Sequence, residues 1–251
     1  EANVSVSIVN WTKGKYSGEK TLSTQTGNTV KSPFVYEHPD NISSALKSTC
    51  DVKGAFDLKA NKPKIFCDQG QTNGHKGFLI KDLYVAKKLL RDEKNKDVLF
   101  PFLIGDCLVA AYNSQPNRYV IDFRKQDVFE AQKYKELYKI IEKSIFVERQ
   151  IKADKEIRDN EEILKNNPKA DVNHHHAGFL KKWWKLSYAR DDLMNILETK
   201  NRYIACSRVT KRPIFEFIST SIHPSDALQV FPLEDDYSFG ILSSQVHWEW
   251  F

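Results

Sequence analysis

The stretch DQGQTNGHKGFLI, Asp68 to Ile80, sets three glycines and a Gly-His-Lys-Gly run ahead of an apolar segment. Such glycines suit a phosphate, because they let backbone N–H groups close on an anion. A Walker loop, however, spaces its two glycines by four residues, ends in Gly-Lys-Ser/Thr and opens a helix. Here Gly70 and Gly74 are spaced by three, and His75 separates Gly74 from Lys76. Gly77 stands where the magnesium-binding hydroxyl belongs, and Phe78-Leu79-Ile80 reads as a strand. These departures argue against an ATPase. Capture of some other anion by a tight, basic loop stays open.

Other chemistries fare no better. A DNA adenine or cytosine methyltransferase needs a glycine-rich cofactor turn and an (Asn/Asp/Ser)-Pro-Pro-aromatic loop, and the closest string, Asn166-Asn167-Pro168-Lys169, lacks the second proline and the aromatic. A nuclease of the PD-(D/E)xK kind holds magnesium between two carboxylates and a lysine. Pro39-Asp40 with Asp57-Leu58-Lys59 matches the letters, but Asp40 sits in a polar loop. Three consecutive histidines, His174 to His176, cannot jointly face one ion in a regular element and read as a surface loop. Cys206, beside Ser207 and Arg208, has the setting of an activated thiol. Its alternation with Tyr203, Ala205 and Ser207 instead places it on one face of a strand.

What remains is positive charge interleaved with polar and aromatic side chains. The net charge is only +5, yet residues 179–215 carry nine Lys/Arg against three acids, a net +6 that leaves the rest at −1. Concentrated charge points to a polyanion, and an ordinary solvated helix face is the alternative. Trp183 and Trp184 sit among Lys181, Lys182 and Lys185. Trp183 reads as core, while Trp184 suits either core or interface. Ser207 to Arg212 forms a turn between two strands, where Arg and Lys can reach phosphates and Arg can pair bidentately with a guanine edge.

The elements that would position these residues follow from periodicity. Glu1 to Ile8 alternates as a half-buried strand, and such a strand at the first residue, with aromatics at the last, suggests a chain cut from a longer one. Thr12 to Lys31 reads as a connector and Asn41 to Lys47 as a short helix. Lys64–Cys67, Gly77–Ile80, Val98–Ile104 and Tyr119–Phe123 read as strands. From Gln126, apolar residues recur every three or four; eleven of the 21 residues between Ile151 and Asp171 are charged, a solvated helical excursion. A second amphipathic helix carries Phe179, Trp183, Leu186, Arg190, Leu193 and Leu197 along its face. RYIACSRV, PIFEFIS and LQVFPL are strands, and Asp235-Asp236 reads as a turn. Strands, a helical block and strands again make an α+β domain with mixed or antiparallel sheets. With 251 residues and 41% hydrophobic content the chain can bury a proper core. Four scattered cysteines and no apolar run of membrane length fit a reduced, cytoplasmic setting.

GQTNGHKGFLI, DVLFPFLIGD, RYVIDF, Trp-Trp before an Arg, RYIACSRVTKRPIFEF and DDYSFGILSSQVHWEWF occur in this order. Together they resemble the target-recognition region of MmeI-type restriction–modification proteins, over about residues 44–251. In that family one long chain carries an adenine-N6 DNA methyltransferase, a recognition domain and often a nuclease. The resemblance implies that residues 1–43 are the last strand of the methyltransferase domain plus a connector, and that 44–251 are the DNA-recognition domain, with a helical block at about 126–200. It implies no cofactor in this chain; the parent protein would bind S-adenosylmethionine, and magnesium for any nuclease. Partners would be duplex DNA and the methyltransferase domain, with no membrane. The residues expected at DNA are Lys76, Arg118, Trp184, Arg202, Ser207, Arg208, Thr210, Lys211 and Arg212. The Pro-rich tail usual after the final Trp-Phe region is missing. A protein-interaction scaffold with a basic face is the competing reading, and the nuclease a more distant one.

Lacking both the glycine turn and the Pro-Pro loop, the chain alone is expected neither to bind S-adenosylmethionine nor to methylate DNA. Calorimetric titration with the cofactor checks this, and a saturable micromolar isotherm would overturn it.

Overall fold

Runs rich in β-branched and aromatic residues pair into sheets when alternate positions find apolar cover, and in the computed structural model this decides the architecture of an α+β protein. The structure describes residues 7–27, 29–43, 46–48, 54, 67–210 and 213–250, the side chains of residues 249 and 250 excepted. The chain forms two compact units, 1–64 and 65–251. In the first, β1 (Leu22–Gln25) pairs antiparallel with β2 (Phe34–Glu37), a hairpin within and beyond the stretch expected to be a connector. The described residues of 41–47 are not helical, and Leu46 adopts a left-handed φ of 53°. The strand expected over Glu1–Ile8 lies mostly outside the described residues, and Ser7 and Ile8 are not in a strand.

The second unit is built on two four-stranded sheets. Its strands are β3 (Asp68–Gln69), β4 (Leu79–Ile80), β5 (Leu99–Leu103), β6 (Tyr119–Ile121), β7 (Arg202–Ser207), β8 (Phe215–Ser219), β9 (His223–Pro224) and β10 (Leu228–Phe231). One sheet has the antiparallel order β3-β10-β7-β8; the other has the order β4-β6-β5-β9, with β5 and β9 parallel. The helices are α1 (Leu83–Leu89), α2 (Gly105–Ala110), α3 (Val128–Ala131), α4 (Lys135–Ile141), α5 (Val147–Asn166), α6 (His175–Lys181), α7 (Asp191–Leu197), α8 (Asp236–Leu242) and α9 (Gln245–Trp250). No helix among the described residues is long and apolar enough to cross a membrane.

Every residue of β7 but the first is buried, because both faces of its sheet are covered. Tyr203 and Ala205 pack with residues of α2 and α7, and Ile204 and Cys206 with Phe215, Phe231 and α8. Burial pushes the Cys206 thiol up against a weaker opposing hydrogen bond from the Ile214 backbone, so it stays protonated. A larger core joins β5 and β6 to α1, α4 and Trp183.

Three stretches depart from the reading of the sequence. The helix expected to run through Phe179 and Leu197 is broken between Lys181 and Asp191. Arg149 of α5 is the cause: its Nη1 lies 3.2 Å from the Lys182 carbonyl and 3.0 Å from that of Lys185, taking acceptors a continuing helix would use. Tyr188 exchanges backbone hydrogen bonds with Thr72, and Arg190 turns left-handed at φ 55°. Second, Asp235 is not in a turn but is the N-cap of α8, accepting from Ser238 N at 2.7 Å. The histidine run likewise opens a helix and is not wholly a loop: His174 is the non-helical N-cap of α6 and His175 and His176 its first residues, with the N–H groups of His176 and Ala177 donating to Glu156 of α5 at 3.0 and 2.9 Å. No group of three His, Cys, Asp or Glu among the described residues has the placement to hold a metal ion. Beyond Glu156 no residue of α5 is buried, the solvated excursion read from its charges.

The chain passes between the two sheets four times, and two of the passages meet: residues 70–78 between β3 and β4, and the three-residue link from β9 to β10. Where these two meet sits Gly70, because a Cβ there would collide with the carbonyl groups of Pro224 and Ser225. Beside it Gln71, fully buried, donates from Nε2 to Asp122 Oδ2 at 2.8 Å and to the Ala189 carbonyl at 3.0 Å, and accepts from His223 Nδ1 at 3.0 Å. Replacing Gln71 by Leu would leave Asp122 and His223 buried and short of a partner. The expected cost is about 1–3 kcal/mol in urea unfolding, and a variant as stable as the wild type would show that this amide does not tie the sheets.

Candidate nucleic-acid interface

Of the residues expected at DNA, Arg208 has the most telling surroundings. It follows β7, its backbone N–H donates to the Ala227 carbonyl at 2.9 Å, and its side chain is exposed. Nη1 donates to Gln69 Oε1 at 2.6 Å and to the Asp226 carbonyl at 2.8 Å. Both acceptors are neutral, and among the described residues no carboxylate lies within 4 Å of this guanidinium. Among the described residues, its charge is therefore held in place without being cancelled. Gln69 lies opposite Gln229 in register, and Gln229 Nε2 reaches Cys67 Sγ at 2.9 Å, so a short polar row crosses the sheet beside Arg208. Ser207 is buried with Oγ donating to the Val209 carbonyl at 3.3 Å. Val209 is fully exposed and Thr210 half-buried. Lys211 and Arg212 lie outside the described residues, as does Asp57.

The glycine loop begins next to this cluster and ends at the helical block. Four of its backbone N–H groups donate to the protein's own carbonyl groups: Gly70 to Leu228, Gln71 to Pro224, Thr72 to Tyr188, and Phe78 to His75. Gly77 N donates to His75 Nδ1 at 2.8 Å, so Nδ1 is an acceptor and Nε2 carries the proton directed at Glu148, 2.5 Å away. Gly74, at φ +70°, admits Ser187 where a Cβ would collide. Gly70 and Gly74 therefore serve close packing, which answers the question their spacing raises. Lys76 is exposed at the far end of the loop, in a single helical turn.

The other expected residues are dispersed. Arg118 is half-buried before β6 in the second sheet, with Nε donating to Asn117 at 2.8 Å. Arg202, at the opposite end of β7 and about 17 Å of strand from Ser207, is engaged internally. It donates to the Glu234 carbonyl at 2.9 Å and to Asp236 at 2.8 Å, and lies 3.7 Å over the Phe217 ring. Trp184 is half-buried, with its indole N–H donating to the Gln126 carbonyl at 3.2 Å. Trp183 is in the core. Residues that the sequence reading missed, Gln69, Gln71, Asp122, Arg149 and His223, hold the cluster and the frame beneath it. Only Gln69 and Gln71 carried a signal: they flank a glycine the chain needs for close approach.

Glu148 gives this region an acid limit. Hydrogen bonds from Lys152, at 2.6 Å, and from His75 hold its carboxyl down to about 2, against an ordinary 4.5. A depressed carboxyl contributes stability above the unfolded value and loses it as pH falls through the folded one. Glu148→Gln is thus expected to unfold more readily than the wild type at neutral pH, with the difference shrinking between pH 4.5 and pH 2. Thermal midpoints across that range check it; a difference independent of pH would refute the assignment.

No family model and no curated protein matches the sequence. Among solved structures, the fold is similar to that of the Type IIL restriction–modification enzyme MmeI in complex with DNA, with a TM-score of 0.63 and 15% sequence identity. The likeness covers 96% of this chain and 30% of that one, so the chain spans about a third of the enzyme it resembles.

Proposed function

We propose that this chain holds duplex DNA and reads its sequence, as the recognition part of a restriction–modification protein whose adenine-N6 methyltransferase chemistry resides in a separate domain. The observation that carries the reading is Arg208, an exposed cation fixed by neutral acceptors and left uncancelled by any described residue. Such a group suits a polyanion that presents hydrogen-bond acceptors along a groove. The fold likeness to an enzyme whose structure contains DNA supports the same conclusion. In this reading Arg208 meets a base edge, Lys76, Arg118, Lys211 and Arg212 meet phosphates, and Ser207 and Thr210 border the contact. The methyltransferase domain supplies S-adenosylmethionine and turns out the target adenine, with magnesium needed for any nuclease.

Non-specific duplex is expected to bind at ~10⁻⁴ to 10⁻⁶ M, because phosphate neutralisation dominates such binding. Lys211→Ala should weaken all duplexes alike and shallow the log–log salt slope by about one. Arg208→Ala should cost roughly 1–3 kcal/mol on a duplex selected from a randomised pool, with little change on a scrambled duplex. Binding to heparin as tight as to duplex DNA would overturn the proposal in favour of a basic scaffold.

A further inference from the structure

Arginine offers five donors in a planar fork, and which edge of the fork faces a ligand decides what it recognises. At Arg208 both Nη1 hydrogens have acceptors, Gln69 Oε1 at 2.6 Å and the Asp226 carbonyl at 2.8 Å. The end-on edge, which needs a free Nη1, is thereby closed. Nη2 and Nε have no partner among the described residues, and together they form the side-on edge, two parallel N–H donors on an exposed side chain.

The orientation of the Gln69 amide is settled by the same contact. Turned over, it would set its own N–H₂ against the N–H of Arg208, donor against donor, so Oε1 faces the guanidinium and Nε2 faces away. Gln69 Nε2 has no acceptor among the described residues. The backbone beneath is fixed: Gln69 is paired with Gln229, and Gly70 N donates to the Leu228 carbonyl at 3.1 Å. Gln69 Nε2, Arg208 Nη2 and Arg208 Nε are all donors.

On this basis, and resting on the DNA-reading role proposed above, we infer that Gln69 is the positioning residue that turns the side-on edge of Arg208 toward a guanine, whose O6 and N7 are the acceptors this edge fits. Gln69 Nε2 then supplies a donor to an acceptor on the neighbouring base. Neither side chain offers a free acceptor on this face, so cytosine N4 and adenine N6 amino groups are disfavoured there.

The test uses the whole 251-residue chain and a duplex selected from a randomised pool. Each guanine in turn is replaced by 7-deazaguanine, which lacks the N7 acceptor. For the wild type, one such replacement should weaken binding about tenfold, within the range of a bidentate base contact. In Arg208→Ala the same replacement should have no effect. Gln69→Ala should lose most of that sensitivity while holding a scrambled duplex within about twofold of the wild type, a result that general loss of structure does not produce. Gln69→Glu, which keeps the shape and cancels the charge of Arg208, should weaken selected and scrambled duplexes together. If Gln69→Ala retains full sensitivity to 7-deazaguanine, the positioning role is wrong and the DNA-reading role of Arg208 stands. If the wild type selects no sequence from the pool, the reading on which the inference rests is itself wrong.

Discussion

A side-chain amide buried away from water must find partners inside the protein or cost several times what an exposed one would. Gln71 is such a group, fully buried where two of the passages between the sheets meet. Its partners come from three separate places: Asp122 after β6, Ala189 in the segment between α6 and α7, and His223 in β9. Satisfying one carboxamide therefore fixes the second sheet, the broken helical segment and the β9–β10 link against one another. The neighbouring contacts agree with this constraint. Phe100 stacks on the His223 ring at 3.9 Å, and Gly70 has no side chain because the carbonyl groups of Pro224 and Ser225 occupy that space.

The Asp122 carboxyl shows the electrostatic side of the same arrangement. Burial acts to raise it, yet His223, Gln71 and Arg124 together hold it below the usual carboxylate range, so a charge sits inside the frame with donors around it. Elsewhere the chain handles its arginines in the same manner. Arg149 is buried against carbonyl groups and over the rings of Phe78 and Phe179, burial lowering it to about 10, still charged at neutral pH. Arg202 is stacked and paired. The concentration of positive charge in residues 179–215 is thus partly architecture, and a count of charges could not separate Arg202 from Arg208. The difference lies in their acceptors, a carboxylate for one and neutral oxygens for the other.

This also sets the limit of what could be read from sequence. β5, β6, β7, β8 and β10 were legible because their patterns are local: apolar runs between turns, with covered faces. Trp183 was legible as core, and the charged tail of α5 as solvated. The break after α6 was not, since it depends on Arg149, more than thirty residues upstream, while the apolar spacing from Phe179 to Leu197 is helical throughout. The aspartates at the start of α8 were ambiguous for a different reason, because turns and N-caps favour the same residues. The glycine loop suggested backbone amides closing on an anion, whereas what crowds Gly70 in the structure is the carbonyl groups of Pro224 and Ser225. Gln69 and Gln71 showed only as neighbours of Gly70, and their roles were not legible: their partners Arg208 and His223 lie 139 and 152 residues away.

The buried frame and the exposed cluster are mechanically one piece, and Asp226 is the link. Its backbone N–H donates to the Gln71 carbonyl at 2.9 Å, and its own carbonyl accepts from Arg208 at 2.8 Å. Gln69, the other acceptor for Arg208, is two residues from Gln71 across the glycine that Pro224 and Ser225 crowd. Both atoms that hold the guanidinium therefore belong to backbone segments already immobilised by the buried amide. A long, rotamer-rich side chain ordinarily loses entropy when a ligand orders it. Here that ordering is done during folding, by the same contacts that join the two sheets. A surface arginine anchored in this way is fixed in geometry as well as in charge, and it is so fixed because Gln71 has no water to turn to.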